Sequence, residues 1–261
     1  MIDLSCHFLT GPSCGPASFE ESLALCRAAC DNGVRTFVFT PRWKAGCAEP
    51  PLALKSCEEQ IERLRAVLAP NIDLRLGFSL QFSPELPALV DRYGSALALG
   101  GQKHLLICLP ANDIPTNASQ VWAELKRRGF SVAISQPASR PALRRQPEIL
   151  RGWVAKGLKL QMCAASVLGW HGREVRRFAH DCLERYSDSV FIASNGHAGN
   201  GDAGALKQAR EELTRTFGEA QTRKWLREIP ATILGKSEVS QAAPARTFAQ
   251  RFSFLRTFTS W

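Results

Sequence analysis

The sequence predicts an α/β fold on a parallel sheet, and three observations carry the prediction. Short apolar runs rich in β-branched and aromatic residues alternate with segments of helical periodicity almost from end to end. About seven such runs occur, each followed by a helix, the alternation expected of parallel strands joined by helical crossovers. The chain has 261 residues, enough for one large undivided core, since α/β barrels reach this size as single domains. The pattern leaves two closures open, a barrel and a doubly wound sheet. In both, functional groups gather at the carboxyl ends of the strands.

"IDLSCHFL" opens the chain as a strand. "SFEESLALCRAACDNG" comes next as a helix, with Ser18 as N-cap, Glu21 completing a capping box and Gly33 stopping it. "VRTFVFTP" is a buried strand ending at Pro41, "LKSCEEQIERLRAVLAP" a helix, and "IDLRLGFSL" a strand. The alternation continues with "KHLLICLP" as strand, "ASQVWAELKRRG" as helix, "FSVAISQP" as strand and "PEILRGWVAKG" as helix. "LKLQMCAAS" is a strand, "REVRRFAHDCLERY" a long helix, and "SVFIAS" a last strand. The carboxyl ends of these strands present Ser5 and His7, Arg42 and Trp43, Ser79, Cys108, Gln136, and Asn195 with His197. That set describes a mouth lined by small polar groups, thiols, imidazoles and a guanidinium.

Composition narrows the class. Hydrophobic residues are 45% and charged residues 22%, which excludes disordered and fibrous chains. No basic run precedes an apolar run and a cleavage site, and no stretch reaches the roughly 18 apolar residues of a membrane helix, so a cytoplasmic location is expected. Nine cysteines, an odd number at irregular spacing, read as reduced thiols. The formal charge of +9 points to anionic partners: an acidic or phosphorylated peptide, a lipid surface, or nucleic acid. Nucleic acid is disfavoured because zinc-knuckle spacing, a phosphate-binding G-x-x-x-x-G-K-[ST] loop and an aromatic RNA-binding signature are all missing.

The organisation is one barrel-like domain over residues 1–235 and a basic, aromatic tail over 236–261. In the tail Phe248, Phe252, Leu255 and Phe258 recur at near-helical spacing before Trp261. Two readings stay open: an amphipathic helix resting peripherally on the inner membrane or on a partner, and a segment packed back over the barrel or left loose.

Seven stretches, in order, resemble the PHP-type manganese-dependent tyrosine phosphatases of bacterial capsule and exopolysaccharide operons. "MIDLSCHFLTGPSCGPASFEESLAL" is similar to the family's D-x-H-x-H opening with its G-P turn and first helix, and "FVFTPRW" stands at its A-T-P-H-H. "LLICLP" matches a strand ending in glutamate, and "ISQPASRPALRRQPEIL" tracks A-H-P-E-R and the stretch ending in N-P or Q-P with two apolar residues. "QMCAASVLGWHG", "FIASNGHAGN" and "EIPATILGKS" resemble Q-x-T-A-G-S-L-x-G-x-x-G, F-I-A-S-D-A-H-N and the closing N-P-x-x-I-L-x-x-E. The resemblance implies a distorted (β/α)7 TIM-like barrel with a trinuclear metal site. It also implies, as partner, the tyrosine-rich tail of a membrane-bound tyrosine autokinase in the exopolysaccharide machinery.

Position by position the ligands differ. The family's first histidine is Ser5, its second is retained as His7, and the aspartate before G-P is Cys14. The two histidines of T-P-H-H are Arg42 and Trp43, the two glutamates are Ser79 and Cys108, and the histidine of A-H-P-E-R is Gln136. The final D-A-H is Asn195, Gly196 and His197. The phosphate-binding arginine aligns with Ser139, beside Arg140, and another falls near Asp202. Manganese and magnesium are hard cations that need carboxylate and imidazole, and close metals need several negative charges around them. Only His7 and His197 keep a family ligand, so the resemblance implies a pseudo-phosphatase that binds a kinase tail or regulatory partner without a metal cofactor. The alternative is an active phosphoester hydrolase with a remodelled metal site.

Arg42 and Arg140 are the candidate phosphate-binding residues, since a guanidinium replaces lost metal charge and holds phosphate bidentately. His7, Cys14, Cys108 and His197 form a candidate soft zinc site, weighed against cysteines that simply pack. Cys57, six residues before Arg63, has the spacing of a cysteine-nucleophile loop but lies mid-helix among glutamates, and is set aside. Arg127, Arg128, Arg144, Arg145, Arg173, Arg176 and Arg177 are either solvated helix faces or, if several share one side, a surface for an acidic partner.

Overall fold

The computed structural model describes residues 1–11, 15–43, 50–198 and 204–236. Cys14 and the tail from residue 237 lie outside the described residues. The strands are β1 (Ile2–Cys6), β2 (Thr36–Phe39), β3 (Arg42–Trp43), β4 (Asp73–Leu76), β5 (Ser79–Gln81), β6 (His104–Cys108), β7 (Ser131–Ser135), β8 (Lys159–Cys163) and β9 (Val190–Ala193). All pair in parallel, in the orders β1-β2-β4 and β3-β5-β6-β7-β8-β9.

These two sheets are one ring. The run "IDLRLGFSL" is not the single strand its continuous apolar character suggests; it divides into β4 and β5 around Gly77. A Cβ at Gly77 would stand 3.0 Å from Leu99 Cα and 3.1 Å from Ala98 O, so the backbone bends in close approach to a neighbouring turn, where a larger residue would push that turn aside. The ladder carries on across the bend, with Gly77 N donating to Phe39 O at 3.0 Å and Ser79 N to Pro41 O at 3.1 Å. With β2–β3 and β4–β5 each taken as one stave, the ring has seven staves. It closes where Asn195 N donates to Ser5 O and His7 N to Gly196 O, both at 2.8 Å.

The closing seam contains a buried acid. Asp3 is 1% exposed. Its Oδ1 accepts from Ser194 N at 3.0 Å and Ser5 N at 3.3 Å, and its Oδ2 accepts from Ser194 Oγ at 2.5 Å. The carboxylate thus replaces a main-chain acceptor between first and last staves. Ser194 Oγ also accepts from Gly196 N at 2.9 Å, which fixes the turn leading to His197.

Helices cover the ring. In α1 (Phe19–Asp31) Ser18 Oγ accepts from Glu21 N at 3.2 Å as expected, while the Glu21 carboxylate reaches one residue further back, to Ala17 N at 2.7 Å. Next come α2 (Pro50–Val67), α3 (Leu86–Tyr93), α4 (Ala118–Arg127), α5 (Pro141–Arg145), α6 (Pro147–Ala155), α7 (Ala164–Leu168) and α8 (Arg173–Arg185). The chain then folds through α9 (Ala205–Phe217), α10 (Glu219–Arg223), a π turn at Lys224–Glu228 and α11 (Ile229–Ile233). Trp225, fully buried, donates its indole N–H to Ser187 O at 3.0 Å and anchors this last layer. Among the described residues no helix is long and apolar enough to cross a membrane.

Replacing Ser194 with alanine removes one donor to a buried carboxylate and one acceptor in the turn. The Ser194→Ala variant is expected to lose about 1–3 kcal/mol in urea unfolding at pH 7. An unchanged midpoint would show that the seam does not depend on this contact.

Candidate functional site

The seam places His7, Asn195 and His197 together at the carboxyl rim. His7 is 4% exposed, and its Nε2 lies 3.3 Å from Asn195 Oδ1. Facing an oxygen, Nε2 carries the proton, which leaves Nδ1 as a lone pair; that atom is buried with no hydrogen-bond partner. Burial, then the Arg42 charge and, more weakly, His197, push the His7 pKa down to about 4 against the opposing Asn195 side chain and Thr40 backbone. The ring is therefore neutral at pH 7. His197 sits with its ring centroid 6.4 Å from that of His7, and its Nδ1 donates to Asn195 O at 3.0 Å. Ser5, buried beside them, shares a 3.0 Å hydrogen bond with Thr40.

Across the ring the mouth is cationic. Arg140 Nη2 lies 2.8 Å from Cys108 Sγ, while Arg140 Nε is buried without a partner. Arg42 is exposed at the rim and pairs in register with Ser79 of β5. Trp43 is next along the strand, partly buried against the core, with an unpartnered indole N–H. Ser139 is hydrogen-bonded to Ser166, 3.3 Å between hydroxyls.

Two backbone positions at this rim are strained. Gln136 has φ +49° and Asn195 φ +51°, the two positive-φ non-glycine residues among those described. Asparagine tolerates the left-handed region; glutamine does so less readily. Gln136 is held there by its N–H, which donates to both the carbonyl and the side-chain oxygen of Gln161 at 2.9 and 3.2 Å.

A family model described as "Capsular polysaccharide synthesis, CpsB/CapC" matches residues 1–235. The chain belongs to the CpsB/CapC family. Tyrosine-protein phosphatase YwqE of Bacillus subtilis is 26% identical over 200 residues, covering 76% of this chain and 77% of YwqE. CapC of Staphylococcus aureus is 23% identical over 267 residues, covering 96% and 98% of the two chains. A chain from crystal structures of YwqE and of Streptococcus pneumoniae CpsB, described as unique metal-dependent tyrosine phosphatases, superposes with a TM-score of 0.81 at 24% identity, over 92% of this chain and 96% of that one. The fold is thus the PHP-type TIM-like barrel of capsule-associated phosphatases.

The donor set of this CpsB/CapC member does not fit the metal cluster that the resemblance implies. Apart from Cys14, the matched ligand positions carry hydroxyl, imidazole, guanidinium, indole, thiol and amide groups, and none carries a carboxylate. Asp3, the acid closest in sequence, has its oxygens taken up in the seam. Among the described residues no three of His, Cys, Asp or Glu come together as a metal site. Of the candidate soft-metal donors, Cys108 is bonded to a guanidinium and His7 and His197 stand together across the ring from it. Cys57 and Arg63 both lie within α2, as the mid-helix reading holds.

The sequence reading missed Gln161. It is fully buried, organises Ser135 and Gln136 through Oε1, and leaves Nε2 without a partner. Its signal was an amide in the middle of the apolar run "LKLQMC".

Removing the nearby cation makes His7 easier to protonate. In Arg42→Ala the His7 midpoint, followed by NMR of labelled imidazole, is expected to rise from about 4. An unchanged midpoint would place Arg42 too far from the mouth to act there.

Proposed function

We propose that this CpsB/CapC protein is a pseudo-phosphatase that binds phosphotyrosine in the capsule or exopolysaccharide machinery and does not hydrolyse it. The observation that carries the reading is Arg140 on Cys108: a guanidinium occupies the side of the mouth where the resemblance calls for a metal-bridging glutamate. Arg42 adds a second positive charge at the rim. Two guanidiniums suit a phosphate dianion, since each offers paired N–H donors matched to its oxygens.

Turnover has other requirements. Attack on phosphorus needs an activated water, and the tyrosinate leaving group needs a proton or a cation. His7 is neutral at pH 7 and is held by Asn195, so it supplies no proton. No carboxylate stands at the matched positions to act as base. The partner is the phosphorylated tail of a tyrosine autokinase, or a regulatory protein of the same machinery presenting the same group.

A labelled phosphotyrosine peptide should bind in the presence of a chelator and more tightly than its unphosphorylated form. Arg42→Ala and Arg140→Ala are each expected to weaken it by about tenfold or more, the worth of a charge-assisted hydrogen bond. No phosphate should be released, with or without added manganese. Manganese-dependent release would favour the remodelled hydrolase, and equal affinity of both variants would remove the arginines from the site.

A further inference from the structure

A groove of about 510 Å³ runs down the barrel wall between α5–α6 and α8. Its lining includes Pro141, next in sequence to Arg140, and Tyr186, the C-cap of α8. Its apolar floor is Phe178, partly exposed, lying over the buried Leu150 and Cys182. Four guanidiniums line it: Arg144, Arg145, Arg177 and Arg185. Arg144 is tied to Ala138 O at 2.8 Å and lies 4.0 Å from Glu174, and Arg145 reaches only Asn112 O at 3.4 Å. Among the described residues Arg177 and Arg185 have no ion-pair or hydrogen-bond partner. Of the other arginines singled out in the sequence, Arg127, Arg128 and Arg176 are engaged by Glu124, Asp91 and Glu212. The groove thus holds a positive excess, four guanidiniums against the carboxylates of Glu174 and Asp181.

We infer that this groove docks an extended acidic peptide segment of a partner protein, with an aromatic side chain on the apolar floor. All four cations are arginine, whose planar fork pairs carboxylates bidentately and stacks on aromatic rings. A helix of 13 residues is about 20 Å long, which roughly six residues of extended chain span. Glu174 and Asp181 also line the groove. They repel a polymer charged at every unit, such as nucleic acid, whereas a peptide can place a neutral residue opposite them. The chain's own tail carries four basic residues against one acidic, the wrong sign for this surface.

The proposal stands apart from phosphotyrosine recognition, so its probe is unphosphorylated: a labelled peptide of about eight residues alternating glutamate and tyrosine. Fluorescence anisotropy on the full chain should show saturable binding that weakens with salt. Arg177→Glu/Arg185→Glu should weaken it by more than about tenfold, while Arg127→Glu, on another face, should not. Thermal melts of each variant, and Arg177→Gln/Arg185→Gln as a milder pair, separate lost docking from lost folding. No binding by the folded wild type, or equal loss in Arg127→Glu, would overturn the assignment. So would single-stranded DNA of equal charge binding as tightly, or light scattering that revealed a second copy of the chain seated in the groove.

Discussion

A buried carboxylate holds the barrel shut. Parallel staves can complete a ring only if the last strand finds hydrogen-bond acceptors on the first, and here Asp3 supplies two of them to Ser194. Burial pushes the Asp3 pKa up to about 6, against hydrogen bonds from Ser194 and Ser5 that favour the ionised form. The seam is therefore a compromise between desolvation and hydrogen bonding. Its consequence is geometric: His7, Asn195 and His197 arrive from opposite ends of the sequence and share one corner of the mouth.

The mouth combines strained backbone with an uncommon charge. Positive φ values occur at Gln136 and Asn195, two of the positions the resemblance assigns to ligands, although neither side chain is a carboxylate or an imidazole. At the positions the resemblance assigns to ligands, this chain carries neutral or cationic side chains. Divalent ions and guanidiniums compete for the same space on electrostatic grounds, and Arg140 against Cys108 is one outcome of that competition.

Much of this was legible in the sequence. The staves track apolar runs that burial on both faces makes nearly continuous, as in "TFVF". The rim residues could be assigned because function in parallel α/β folds lies at carboxyl ends of strands. The bend at Gly77 was not legible, because its cause is a turn more than 20 residues away approaching the backbone. The helices α3, α10 and α11 were not legible because they are short and adjoin proline, glycine or a π turn. Asp3 read as an ordinary strand residue, since its partner Ser194 is 191 positions distant. The arginines of the groove were visible one by one but not as a cluster, because only the packing of α5 beside α8 brings Arg144 and Arg145 to Arg177 and Arg185.

Calorimetric titration of manganese into the purified, untagged chain tests the sign of the mouth most directly. Loss of the hard ligands predicts no saturable heat below about millimolar concentration, because no carboxylate at the matched positions offsets the guanidinium charge. Stoichiometric binding of two or three ions per chain at micromolar affinity, lost in a His7→Ala/His197→Ala variant that still folds, would contradict the account.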